Sequence, residues 1–207
     1  MSPKAWVRER KRDYYYRKAK EENYRSRAAY KLLQAAEKHR FLKKGDVVLD
    51  LGAAPGGWMR AARKIVGKEG FVLGVDLKSI KPLETANTQT LVGDITSPET
   101  QKLIEEILPT NADVIVSDVS PNISGVWEVD HARQMDLASE SLKLALKLLK
   151  KGGNFFVKVF QGDMFKGFVE TVKEHFARVE IIKPGASRAK SAEVFVLGIG
   201  LKKSIQG

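Results

Sequence analysis

The chain contains no cysteine, which removes disulfides, thiolate zinc sites, iron-sulfur clusters and cysteine nucleophiles from consideration. Histidine is scarce: His39, His131 and His175 are scattered, with no two on one helical face, so no metal centre is expected. No window approaches the roughly 18 uninterrupted apolar residues of a membrane span. The opening MSPKAWVRERKRDYYYRKAK lacks the apolar centre of a signal peptide. Repeats and low-complexity segments are also missing. A soluble, cytoplasmic, globular chain with no membrane partner is the expectation.

What is present is a chain of 207 residues, 43% hydrophobic and 29% charged, with a net charge of +11. That length suits one domain with an appendage. The charge is unevenly placed. Residues 1–31 hold eleven basic and four acidic side chains, a net of +7, which leaves +4 for the other 176. Trp6, Tyr14, Tyr15, Tyr16, Tyr24 and Tyr30 lie among these charges, as rings able to stack on unpaired bases while the cations neutralise phosphates. A membrane-surface role fits less well, because the segment has no Leu/Phe/Ile face to insert. Residues 1–25 are therefore expected to form an RNA-binding extension ahead of a domain over 26–207.

From there on, short apolar runs alternate with amphipathic stretches. Runs at 46–51, 71–77, 89–95, 113–119, 154–160, 178–182 and 193–201 read as strands, and 58–66, 97–108, 132–150 and 163–175 show helical spacing. Gly152-Gly153 is expected to stop the third of these helices. Such alternation implies an α/β fold, with a seven-stranded, mostly parallel sheet covered by helices on both faces. The last two strands are joined by only ten residues, KPGASRAKSA, too few for an ordinary parallel crossover. The final strand is therefore expected to run antiparallel.

The chemistry gathers at the strand ends. The first strand ends in Asp50-Leu51-Gly52-Ala53-Ala54-Pro55-Gly56-Gly57-Trp58, a glycine-rich turn into a helix. It is not the dinucleotide fingerprint, since Ala54 stands at the second glycine and Pro55 offers no N–H. Asp76 ends the second strand, where a carboxylate can accept from both hydroxyls of a ribose. Asp94 ends the third, beside Ile95, suited to an adenine amino group and ring. Asp118 ends the fourth strand. Lys158 lies inside the apolar run Phe155–Phe160, where a lysine is rarely found without a partner. If the last strand is antiparallel, Glu193 starts at the same edge, and ligands of such sheets bind outside the carboxyl ends of the strands. Two carboxylates and an amine then meet beside a nucleoside site.

These residues resemble the FtsJ/RrmJ-like (RlmE) methyltransferases. The resemblance rests on five blocks in order: Ser26–Leu32, Asp50–Trp58, Ser117–Asn122, Val157–Gly162, and Lys183–Arg188 followed by Ser191 and Glu193. It implies a Rossmann-like class I methyltransferase domain using S-adenosyl-L-methionine to methylate a ribose 2′-hydroxyl of RNA. The acceptor it implies is a uridine of large-subunit ribosomal RNA, free or in the assembled subunit, with no obligate protein partner. It further implies a Lys31, Asp118, Lys158, Glu193 tetrad, of which Lys31 comes from the resemblance alone. Lys158 would take or orient the proton, with Asp118 and Glu193 positioning it. Gly52, Gly56 and Trp58 would surround the methionine end of the cofactor, Asp76 and Asp94 its ribose and adenine, and Asp118 the junction with the acceptor. Arg27, Arg188 and Lys190 flank tetrad positions and are candidate phosphate contacts.

Other readings have specific handicaps. A nicotinamide oxidoreductase shares the glycines and Asp76, but the turn is variant and little chain remains for a substrate domain. Amino-group methylation of a base calls for a second proline and a stacking aromatic after Asp118, where Val119-Ser120-Pro121 stands. A methyltransferase of the tRNA anticodon loop, within the same family, and a non-catalytic RNA-binding module are the remaining alternatives.

Overall fold

The computed structural model describes residues 14–188 and 191–203. A seven-stranded sheet runs through the domain in the order β3-β2-β1-β4-β5-β7-β6. The strands are β1 (Val47–Leu51), β2 (Phe71–Asp76), β3 (Thr88–Val92), β4 (Ala112–Ser117), β5 (Leu149–Phe160), β6 (Phe176–Ile182) and β7 (Glu193–Leu201). β1 pairs in parallel with β2 and β4, as do β2 with β3 and β4 with β5. β7 is antiparallel to both β5 and β6, as the short link before it demands.

Among the described residues six helices cover the faces: α1 (Tyr14–Glu21), α2 (Ala29–His39), α3 (Gly57–Val66), α4 (Pro98–Ile107), α5 (Trp127–Leu148) and α6 (Phe165–His175). The central strands alternate their side chains between two cores. One packs Leu49, Ile115, Phe155 and Val157 under α4, α5 and α6, and the other packs Val48, Val116, Phe156 and Phe195 under α1, α2 and α3. Such two-sided burial explains why the strand runs are apolar almost throughout rather than alternating. Among the described residues no helix is long and apolar enough to cross a membrane.

β3 and β4 end at Val92 and Ser117, so Asp94 and Asp118 lie just beyond their strands rather than at their last residues, and β6 starts two residues early at Phe176. The two bounds of α5 differ most from the sequence expectation. α5 starts five residues early, where Asp130 accepts hydrogen bonds from Ser124 N–H and Oγ and from Gly125 N–H and so ties the preceding loop to the first turn. It also ends at Leu148, ahead of the glycines. Leu149 is already extended and pairs with Ala112. Asn154 is the next residue of β5 to find a partner, opposite Val114, so Gly152 and Gly153 belong to a strand irregularity. Lys150 reaches across it to Asp113, 2.9 Å away.

The basic extension is also more structural than expected. Ala19, Tyr24 and Tyr30 are buried in the core beneath α2, and Tyr30 donates to Glu22 at 2.9 Å. Burial, then this hydrogen bond to a carboxylate, raise the Tyr30 phenol above its ordinary range. Tyr24 and Tyr30 are therefore not free stacking rings. Trp6 lies outside the described residues, and Tyr14 remains well exposed.

Candidate active site

The carboxyl ends of β1, β2 and β3 form an acid-rimmed crevice. After β1 the chain turns through Gly52 and Gly56, at φ +76° and +98°, a region that disfavours side chains. A Cβ at Gly52 would lie 2.8 Å from Val119 N, and one at Gly56 would lie 2.7 Å from an Arg25 guanidinium nitrogen. Arg25 braces this turn by donating to the carbonyls of Pro55, Lys81 and Pro82. Its place in the extension is thus partly structural.

Asp76 Oδ2 accepts from Ala54 N–H at 2.9 Å and Oδ1 from Lys78 N–H at 2.8 Å. Each oxygen keeps a lone pair for a ribose hydroxyl. Asp94 is held through Oδ1 by Thr96. Gly52, Asp76, Asp94, Ile95, Val119 and Leu137 line a crevice of about 110 Å³. Beneath it, Asp50 is fully buried with neither oxygen hydrogen-bonded. Burial, then the charges of Asp118 and Asp76, push its carboxyl well above the usual range.

Trp58 departs from the expectation. Its ring is 3% exposed, donates from Nε1 to Ala28 O at 2.7 Å, and packs on Phe156 and Phe195. The helix that begins at Gly57 turns its first apolar side chain into the core, so the indole props α2 against the sheet. Only backbone at this position faces the turn.

One strand further along, the edge changes character. Lys158, 4% exposed, donates to Asp118 O at 2.9 Å and to Ser120 Oγ, and pairs with Asp118 Oδ1 at 3.2 Å. The carbonyl and the hydroxyl take two of the ammonium protons, while Asp118 Oδ1 supplies a facing charge without hydrogen-bonding geometry. Gln134, wholly buried on α5, donates to Lys158 O at 3.1 Å and fixes the strand backbone. Lys31, on α2, pairs with Glu193 Oε1 at 2.6 Å and sits 5.6 Å from the Phe195 ring, while Ser187 donates to the same carboxylate oxygen at 3.0 Å. In the β5–β7 register Lys158 faces Phe195 and Phe160 faces Glu193, which makes Lys158 and Glu193 diagonal neighbours, about 7–8 Å apart between Cα atoms. All four tetrad residues converge, as two lysine–carboxylate pairs.

The flanking cations fare differently. Arg27 is half-buried and donates to Ala186 O at 2.6 Å; burial and then Arg188 lower its pKa, against the opposing pull of Glu193. Arg188 is exposed, and Lys190 lies outside the described residues. Sequence reading missed Ser120 and Gln134 as partners of Lys158. It also missed a basic cleft of about 700 Å³ lined by Arg25, Arg60, Arg63, Lys64 and Lys81. Burial and the charge of Arg60 lower the pKa of Arg25 there. The spacing of Arg60, Arg63 and Lys64 on one face of α3 was the available signal. Among the described residues no group of side chains could hold a metal ion.

Comparison with known proteins gives a consistent set. The FtsJ-like methyltransferase family matches residues 24–201. The chain is 56% identical over 194 residues to the ribosomal RNA large subunit methyltransferase E of Methanococcus vannielii, covering 94% of this chain and 75% of that protein. It is 52% identical over 197 residues to the protein of that name from Methanocaldococcus jannaschii, covering 94% and 80%. Among solved structures, a Plasmodium falciparum protein described as a ribosomal RNA methyltransferase superposes with a TM-score of 0.77 at 26% identity, covering 87% of this chain and all of that one. Fibrillarin from Aeropyrum pernix shares the fold, with a TM-score of 0.59 at 19% identity, covering 85% of this chain and 75% of that one.

Proposed function

Because the chain belongs to the FtsJ-like methyltransferase family, we propose that it methylates a ribose 2′-hydroxyl of large-subunit ribosomal RNA, with S-adenosyl-L-methionine as donor. The observation that carries this reading is the meeting of two lysine–carboxylate pairs with an acid-rimmed nucleoside crevice on one sheet edge. A uridine is the expected acceptor, in the cytoplasm and without an obligate protein partner. The large-subunit ribosomal RNA for which the relatives are named favours this over a tRNA or a non-catalytic role.

The residues present fit that donor. Asp76 has lone pairs free for ribose hydroxyls, Asp94 Oδ2 is available to an adenine amino group, and the Ile95 side chain lines the crevice where the ring would pack. Carboxylates along the rim favour a cationic ligand. The donor supplies a methyl group on a sulfonium, which an oxygen can displace in line. The chain's own task is to hold the 2′-oxygen about 3–3.5 Å from that carbon. Lys158 Nζ does this from beneath. An incoming hydroxyl takes the place of Ser120 Oγ, the one partner supplied by an exposed loop side chain. As the neutral amine Lys158 accepts the hydroxyl proton while the methyl group is transferred; as the ammonium it orients the oxygen through an N–H and the proton leaves to solvent. Asp118 holds Lys158 from the cofactor side. Glu193 and Lys31 close the opposite side, and the low exposure of both pairs keeps bulk water away.

RNA presents a 2′-hydroxyl where DNA does not. Arg27 and Arg188 beside the tetrad and the cleft between α3 and Lys81 supply cations for phosphates near the acceptor, and the basic sequence of residues 1–25 and Lys190 adds to the charge available for RNA. The test is transfer of labelled methyl to unmodified large subunits, free ribosomal RNA and tRNA. Label in large-subunit RNA, recovered in an alkali-resistant dinucleotide, supports both ribose chemistry and substrate. Label in tRNA alone overturns the substrate, and no transfer with donor still bound overturns the enzyme reading. Affinity for RNA should fall steeply with added salt.

A further inference from the structure

Trp127 belongs neither to the tetrad nor to the cofactor crevice, yet it stands on the same edge. It opens α5 directly after the 118–126 loop, which starts with Asp118 and Ser120 at Lys158. Its ring is 6.0 Å from that of Phe160 at an interplanar angle of 22°, and Phe160 lies two residues beyond Lys158 on β5. By this route the indole is on the order of 10 Å from the catalytic lysine.

The ring is held. His131, one turn along α5, stacks on it at 5.5 Å and 18°. His131 is itself buried, with Nε2 accepting from Met164 N–H at 3.2 Å and Gly162 packed so closely that an added Cβ would come within 2.7 Å of the imidazole. Asp130 fixes the loop on the other side through Ser124 and Gly125.

Despite this support Trp127 is 45% exposed, and Val126 before it and Met164, whose N–H meets the stacked His131, are exposed as well. Charges of both signs flank it in sequence, Glu128, Asp130 and Asp163 against Arg133 and Lys166, so the patch offers aromatic and apolar surface rather than a positive field. A preorganised aromatic face continuous with a ribose-binding site suits a base. Base–aromatic stacking needs no particular sequence, because every base has a π-face.

We propose that the solvent-exposed part of the Trp127 ring stacks on an unpaired nucleobase of the substrate RNA within one nucleotide of the acceptor ribose. This rests on the RNA reading above and adds a binding contact to it.

The experiment compares the unaltered protein with Trp127→Ala, Trp127→Phe and Trp127→Leu on free large-subunit ribosomal RNA and on assembled subunits. KM for free RNA is expected to rise about 5- to 100-fold in the alanine variant, with a smaller change in kcat and no change in affinity for S-adenosylmethionine. Phenylalanine should restore most of the loss, and leucine should not. Equal rescue by leucine overturns stacking. A loss confined to assembled subunits overturns it too, because the patch then meets protein. Independently of turnover, the fluorescence of Trp127, taken as the difference from Trp127→Phe, should be quenched by free ribosomal RNA. An abasic site at the acceptor or an adjacent nucleotide of a short RNA should remove the quench and name the base; if none does, the proposal falls. Quenching without transfer would overturn the enzyme reading alone, whereas transfer with unchanged KM and no quench would overturn the stacking alone.

Discussion

The two halves of the sheet edge are built by different means. Under β1, β2 and β3 the site is made of backbone and carboxylates without a cationic partner: a turn with two glycines at positive φ, Asp76 on two amides, and Asp94 on the Thr96 amide and hydroxyl. Around β4, β5 and β7 it is made of side chains in pairs, Lys158 with Asp118 and Lys31 with Glu193. The first half carries surplus negative charge suited to a cation. The second is neutral and rigid, suited to a hydroxyl that must be aimed. Binding of the donor and positioning of the acceptor are thus assigned to separate residues, joined at Asp118.

Four variants probe that division. The largest effect is expected from Lys158→Ala, which removes the group that meets the 2′-oxygen and should lower kcat by about 10³-fold in single-turnover methyl transfer. A rate within tenfold of the unaltered enzyme would remove Lys158 from the chemistry. Asp76→Ala comes next. It deletes the expected ribose acceptor and should weaken binding of S-adenosylmethionine about 10- to 100-fold by calorimetry, and an unchanged Kd would reassign the ribose.

Glu193→Gln should leave the Lys31 ammonium without its anion in a nearly buried place. A stability loss of about 3 kcal/mol, at the low end for broken buried pairs because some solvent remains, is expected in urea unfolding, together with slower transfer. No change in midpoint would mean that Lys31 finds another partner. Asp50→Asn should have the smallest effect on turnover, and its signature is in pH. Because the native carboxyl titrates well above the unfolded one, the folded state holds the extra proton once pH exceeds the unfolded value near 4. Asp50 therefore withdraws stability as pH rises from there towards its native pKa. The asparagine variant should lack that decline in a series of melting temperatures, and an identical profile would mean that Asp50 is ionised in the native state.

The same comparison explains what the sequence made legible. The donor half is local: Asp50 to Trp58 is one contiguous turn, Asp76 ends β2 and Asp94 follows two residues after β3, so periodicity and glycine placement sufficed to put these residues on one edge. The acceptor half draws on positions 31, 118, 158 and 193, and it came together only through topology. The short 183–192 link brought Glu193 to the right edge, whereas nothing in the spacing of α2 marked Lys31 as buried. The direction of the Trp58 indole was not legible for a related reason, since adjacency to a ligand turn does not tell which way a helical side chain points. Likewise the glycines after α5 looked like a helix stop, although packing of Leu149 beside Ala112 had already ended the helix.

The most direct test of the division is a titration of S-adenosyl-L-methionine into the Lys158→Ala variant. The account predicts a dissociation constant within about twofold of the unaltered protein while methyl transfer is lost. A loss of affinity comparable to that of Asp76→Ala would contradict it, because the two halves of the edge would then be one site.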